Sequence, residues 1–202
     1  MVLASRLVLL LFTEVIVTAA SAPTSAASPK EDPPEVRYAA MLAAEYGPLG
    51  KTTAEILAHE KTHDAITLFG ALVFRINAKP LARRSLPERK LAAVYAVQAE
   101  VNNGGFDQYF FNDSGDESAV ALQGLREMGS AQGVKLMQRA LNVFPSGKPP
   151  ADRVKRQALV ERLRPRAAAT WGACDHGFYT IDDLGVLALA YAKKNRAQIV
   201  LL

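Results

Sequence analysis

From Thr52 to Asn195 apolar residues recur every three or four positions, and nowhere does the chain alternate apolar and polar residues in a bounded run, as a half-buried strand would. That periodicity confines the fold class to all-α, with apolar stripes that must be buried against one another. A length of 202 residues suits a single compact multi-helix domain. The chain has one cysteine, Cys174. Neither an intramolecular disulfide nor a multi-cysteine zinc site can staple the fold, so packing must stabilise it.

Local chemistry places the helix ends. Thr52 and Glu55 have capping-box spacing, and one helix is predicted from Thr52 to just before Pro80, with Ala54, Leu57, Ala58, Ala65, Leu68, Phe69, Leu72 and Ile76 on its apolar face. A second starts at Leu86-Pro87 and runs into Asn102-Asn103-Gly104-Gly105, followed by a short helical piece from Phe106 to Asn112. Ser114-Gly115-Asp116 reads as a turn before a helix from Glu117 to Met128, closed by Gly129. Further helices are predicted over Ala131–Phe144, Asp152–Arg164 and Ile181–Asn195, with Pro145-Ser146-Gly147 and Pro149-Pro150 as the clearest break between them.

The first 22 residues resemble a secretory signal: Arg6, an apolar run from Leu7 to Phe12, then small residues ending Ala20-Ser21-Ala22. The apolar stretch is too short and interrupted for a stable membrane span. Residues 23–36 read as a flexible linker and 37–202 as the helical domain. This organisation predicts an exported, periplasmic or secreted protein, or a cytoplasmic one if Met1 is a mis-set start.

The formal charge of +4 is unevenly distributed. Leu91 to Leu125 contains no Lys or Arg and carries Glu100, Asp107, Asp113, Asp116 and Glu117, whereas Arg126 to Arg166 holds ten basic residues against three acidic ones. Adjacent blocks of opposite sign are expected to neutralise each other across helices. Nucleic-acid binding is not expected, because Arg153, Lys155, Arg156, Arg162 and Arg164 scatter around a helical wheel with no aromatics between them. The predicted form of that segment is a surface helix with its cationic heads in water.

Two segments carry candidate chemistry. His59-Glu60-Lys61-Thr62-His63 spells the H-E-x-x-H of zinc peptidases, with the two histidines as ligands and Glu60 as base. On a continuous helix these three residues face away from the Leu57/Leu68/Leu72 stripe, and no third ligand has a motif-like position. The second segment, Glu100 to Gly115, packs carboxylate, amide, glycine and aromatic groups together. As architecture, the glycine pair would allow positive φ where two helices meet, and amide side chains would bond the free groups at the helix ends. As a binding site, Glu100, Asn102, Asn103, Gln108 and Asn112 would converge on a ligand. The segment has no histidine, cysteine or lysine. No catalytic residue, metal ligand or cofactor is therefore assigned to it.

This second segment resembles the helical C-terminal domain of the bacterial DNA-mimic protein family. The family pattern E-x-N-N-G-G-F-x-Q-(F/Y)-(F/Y)-x-N-x-x-G is matched by Glu100, Asn102, Asn103, Gly104, Gly105, Phe106, Gln108, Tyr109, Phe110, Asn112 and Gly115. Ala121 to Gly129 looks like the helix that follows, and Asp175, Phe178 and Tyr179 look like the family's late turn. The resemblance spans about 86–195. It implies an all-helical domain without known catalysis, whose name-giving member binds a transcription factor by presenting acidic groups as phosphates would be presented. Mimicry of that kind needs a strongly negative surface, whereas this chain is basic.

The expected function is a non-enzymatic protein-interaction domain acting through Glu100, Asn102, Asn103, Gln108, Asn112, Asp113, Asp116 and Glu117. The sequence names neither its partner nor an oligomeric state. The alternative is a zinc-dependent hydrolase built on His59, Glu60 and His63.

Overall fold

The computed structural model describes residues 32–201. The signal-like segment and most of the predicted linker lie outside them. Among the described residues there are eight α-helices and no strand. The helices are α1 (Pro34–Tyr46), α2 (Thr53–Leu57), α3 (Ala65–Asn77), α4 (Leu86–Phe111), α5 (Ser118–Met128), α6 (Ala131–Leu141), α7 (Arg153–Phe178) and α8 (Leu184–Lys194). Helix α1 begins inside the range read as linker, with Pro34 in the first turn, where the missing N–H costs no helical bond. No helix among the described residues is long and apolar enough to cross a membrane.

Helix α4 is the central element. It packs on α7, α5 and α3, and α8 packs mainly on α3, with smaller contacts to α5 and α4. Leu91, Val94, Val97, Val101, Phe106, Tyr109 and Phe110 of α4 are all fully buried, alongside Leu68, Phe69, Leu72 and Ile76 of α3 and Val160, Leu163, Ala167, Trp171 and Phe178 of α7. Phe110 stacks on Phe106 and meets Phe144 edge to face. The indole N–H of Trp171 donates to the Ala140 carbonyl at 3.1 Å, so even its polar edge is satisfied inside.

Two predicted helices take different lengths. The single helix from Thr52 is two: the Thr52/Glu55 capping box starts α2, which stops after Leu57, and Asp64 accepts from the Thr67 N–H to start α3 afresh. The new cap at Asp64 breaks the phase, so Thr53 and Ile56 enter the core while Ala54 and Ala58 are exposed. Helix α7 continues through Pro165 to Phe178. Pro165 cannot bond the carbonyl one turn earlier, at Glu161, but both residues are exposed and water can take that acceptor. The predicted boundaries at Leu86, Met128 and Ala131 match the structure, with Gly129 in the left-handed conformation at φ 85° closing α5.

Candidate functional site

The elbow within α4 is built on Gly105, whose φ of 81° interrupts the helix between Gly104 and Phe106. A restart of this kind leaves the Phe106 N–H without a helical acceptor. Asp175, from the far end of α7, supplies one: its Oδ1 accepts from Phe106 N at 2.8 Å. A Cβ at position 105 would stand 2.5 Å from Oδ2 of the same carboxylate. Only glycine allows both the torsion and the approach. Burial pushes the Asp175 carboxyl above its ordinary value, the Phe106 N–H pulls it back and the nearby Asp107 adds to the rise.

One turn before the elbow Glu100 is buried, at 1% exposure. Its carboxylate accepts from Gln108 Nε2 at 2.8 Å, from Asn112 Nδ2 at 3.0 and 3.2 Å and from Ser114 Oγ at 2.8 Å. These donors are neutral. Desolvation therefore raises the Glu100 carboxyl above its ordinary value, against the three hydrogen-bond donors that lower it, with Asp113 pushing the same way as burial. The neighbouring Tyr109 hydroxyl is also buried and has no hydrogen-bond partner among the described residues. Burial raises it, with Glu100 as the next contributor.

Three of the sequence-predicted binding residues, Glu100, Gln108 and Asn112, thus meet one another, and they close on themselves instead of on an open cavity. Asn102 and Asn103 are exposed on the last turn before the elbow, and neither side chain makes a hydrogen bond among the described residues. That corrects the expectation that both amides serve helix ends. Of the four amide side chains, only Asn112 and Gln108 point inward.

The acidic residues are paired. Asp113 meets Arg153 at 2.6 Å, Asp116 meets Arg156, Glu117 meets Arg89 at 2.9 Å and Asp107 meets Arg164 at 2.6 Å. The expected neutralisation of the acidic block by the basic one holds for Asp107, Asp113 and Asp116. Arg156 departs from the predicted solvated helix face: it is fully buried. Its guanidinium donates to the carbonyls of Phe110, Asn112 and Pro150 at 2.9, 3.2 and 3.3 Å, satisfying the end of α4. The sequence placed Arg156 on the surface, outside the elbow, and gave Ser114 only a place in the turn that follows it. A helix ending at Phe111 beside a polar turn implies free carbonyls that need a donor, which was the available signal.

The histidine segment lies outside both flanking helices, on turns between α2 and α3. The wheel drawn for one continuous helix therefore does not apply. The rings of His59 and His63 meet edge to face with centroids 5.3 Å apart, and Thr62 Oγ1 is 3.0 Å from His63 Nδ1. Glu60 is held by Lys193 of α8 at 2.7 Å. No group of three or more His, Cys, Asp or Glu among the described residues could hold a metal ion.

Comparison with known proteins adds a family. A family model described as DMP19-like protein matches residues 83–195, which is more than half of the chain and contains the whole elbow with its Asp175 cap. No curated protein and no solved structure matches significantly.

Proposed function

The chain belongs to the DMP19-like protein family, and from that premise we propose that it is a non-enzymatic protein-interaction domain whose contact surface is the exposed side of the elbow, around Asn102 and Asn103. One observation carries the reading: apart from the Tyr109 hydroxyl, the buried polar side chains of the elbow are hydrogen-bonded to one another or to backbone, and the two asparagines are its polar side chains that face water without a partner among the described residues. A catalytic reading would need a nucleophile and base facing a substrate cavity, and Glu100 faces amides instead.

Mimicry of DNA by this surface is not part of the proposal. A mimic needs free carboxylates to engage a basic site, and Asp107, Asp113, Asp116 and Glu117 are each neutralised by an arginine of the same chain. The support is therefore for ordinary polar contacts to a protein partner.

The test is a photo-crosslinking amino acid placed at Asn103 and, separately, at the exposed Lys148, in protein expressed in its native host. A discrete crosslinked partner from position 103 and none from 148 is the expected outcome. Identical patterns from both positions, or none from either, overturn the reading. Export is proposed alongside it, supported by the charged start and apolar run of residues 1–22. Amino-terminal sequencing from the native host should find a mature end between Ala19 and Ala27, and a protein beginning at Met1 overturns export.

A further inference from the structure

Helix α7 carries six basic residues before Ala167: Arg153, Lys155, Arg156, Arg162, Arg164 and Arg166. The structure sorts these six into two opposed sets. At roughly 100° per residue, Arg153, Arg156 and Arg164 fall within roughly 80° of one another. These are the three that pair with Asp113, Asp116 and Asp107. Lys155, Arg162 and Arg166 fall within roughly 40° of one another on the far side of the helix. All three are exposed, and none makes an ion pair or side-chain hydrogen bond among the described residues.

The apparent scatter of charge around this helix is thus the sum of a face used internally and a face left free. The free stripe is about 16 Å long at 1.5 Å per residue. Ala158, exposed beside the stripe, and Ala169 and Ala173, exposed beyond Arg166 on the same face, are small. The exposed acidic residue of this helix, Glu161, lies roughly 100° or more away from the stripe.

We propose that Lys155, Arg162 and Arg166 form a docking stripe for an acidic amphipathic helix of a partner protein. Charge complementarity and the placement of the three cations along one face of a single helix carry the choice of occupant. Carboxylates four and eleven residues apart on one face of an antiparallel partner helix reproduce the spacing of the three cations. A nucleic acid fits less well. The alanines beside the stripe offer nothing to stack on a base or to read its edge, and Trp171 is turned into the core. A membrane surface also fits less well, because the apolar face of α7 is already buried in the protein. This stripe is independent of the elbow surface, since it lies on the opposite side of α7 from the ion pairs to α4 and the turn after it.

The experiment is fluorescence anisotropy on the full chain with a labelled helical peptide bearing glutamates at the matching spacing. Its comparators are an isomer with the same glutamates distributed around the helix, a 20-base-pair duplex and anionic lipid vesicles. The matched peptide should bind best, and its binding should weaken as salt rises. Lys155→Glu/Arg162→Glu/Arg166→Glu should lose about tenfold or more in affinity, Arg162→Gln alone about threefold, and Lys148→Glu less than about twofold. Arg162→Gln guards against a fold defect in the triple variant, which circular dichroism would also reveal. Tighter binding of the duplex or vesicles, equal binding of the isomer, or unchanged affinity in the Arg162→Gln variant overturns the proposal.

Discussion

Glu88 and Glu100 sit on the same helix about three turns apart, both out of reach of water, and they are satisfied in opposite ways. Glu88 has a cation: Lys79 reaches it at 2.6 Å, and it also accepts from the N–H groups of Ser85 and Val200, both at 2.9 Å. Lys79 in turn donates to the Val200 carbonyl at 3.1 Å, so one buried ion pair ties the end of α3, the start of α4 and the carboxy-terminal segment together. Glu100 has three neutral donors and no cation within its cluster. The contrast separates two uses of a buried carboxylate. One neutralises a buried ammonium, so each partner depends on the other. The other organises amides around a bend, at the cost of a disfavoured charge.

The largest consequence follows at Glu88. Glu88→Gln keeps the shape but strands the Lys79 ammonium, and a loss of about 3 to 5 kcal/mol in denaturant unfolding is expected. If Glu88→Gln costs no more than Glu100→Gln, the distinction between the two carboxylates fails.

Next in size is the elbow itself. Gly105→Val should lower stability by about 1 to 3 kcal/mol from the left-handed torsion alone, with the approach of Asp175 adding to it. Combining it with Asp175→Ala should be less than additive, because removing the carboxylate relieves the contact. Strict additivity in a double-mutant cycle would show that Asp175 is not what the new side chain meets.

A smaller effect, with a diagnostic sign, belongs to Glu100. Its folded pKa is raised by burial. Its contribution to stability is therefore fully present below the unfolded carboxyl value, about 4.3, and is lost as pH rises through the folded value. The stability of wild type relative to Glu100→Gln should fall steadily as pH rises from about 4, because Asp175 titrates in both proteins and cancels. A difference that instead grew with pH would mean that a cation reaches Glu100. The smallest effect is expected at Asn103: Asn103→Leu should change stability by less than about 0.5 kcal/mol, since the side chain is exposed and unbonded.

Much of the architecture was legible before any coordinates. Thr52 with Glu55, Pro87 early in α4 and Gly129 after α5 act through backbone atoms a few residues away, and all three behave as local chemistry requires. The candidate site was legible in part. Gly105 announced a bend, and the pattern from Glu100 to Asn112 announced a polar cluster there. Which amides turned inward did not follow from that pattern. Asn102 and Asn103 look equivalent to Asn112 in sequence, yet only Asn112 sits past the bend, where it folds back onto Glu100 at 3.0 Å.

Sequence alone therefore determined the helical class, most helix starts and stops, the place of the elbow and the opposition of an acidic block to a basic one, because each rests on periodicity, capping or composition within a short window. Tertiary structure decided the rest: that α2 and α3 separate, that α7 passes through Pro165, that Arg156 is buried while Arg162 is free, and that Glu88 holds Val200 across 112 residues. The reason is range. A polar side chain is buried or exposed according to partners that arrive from other helices, and no local pattern encodes which carbonyl or carboxylate will be waiting there.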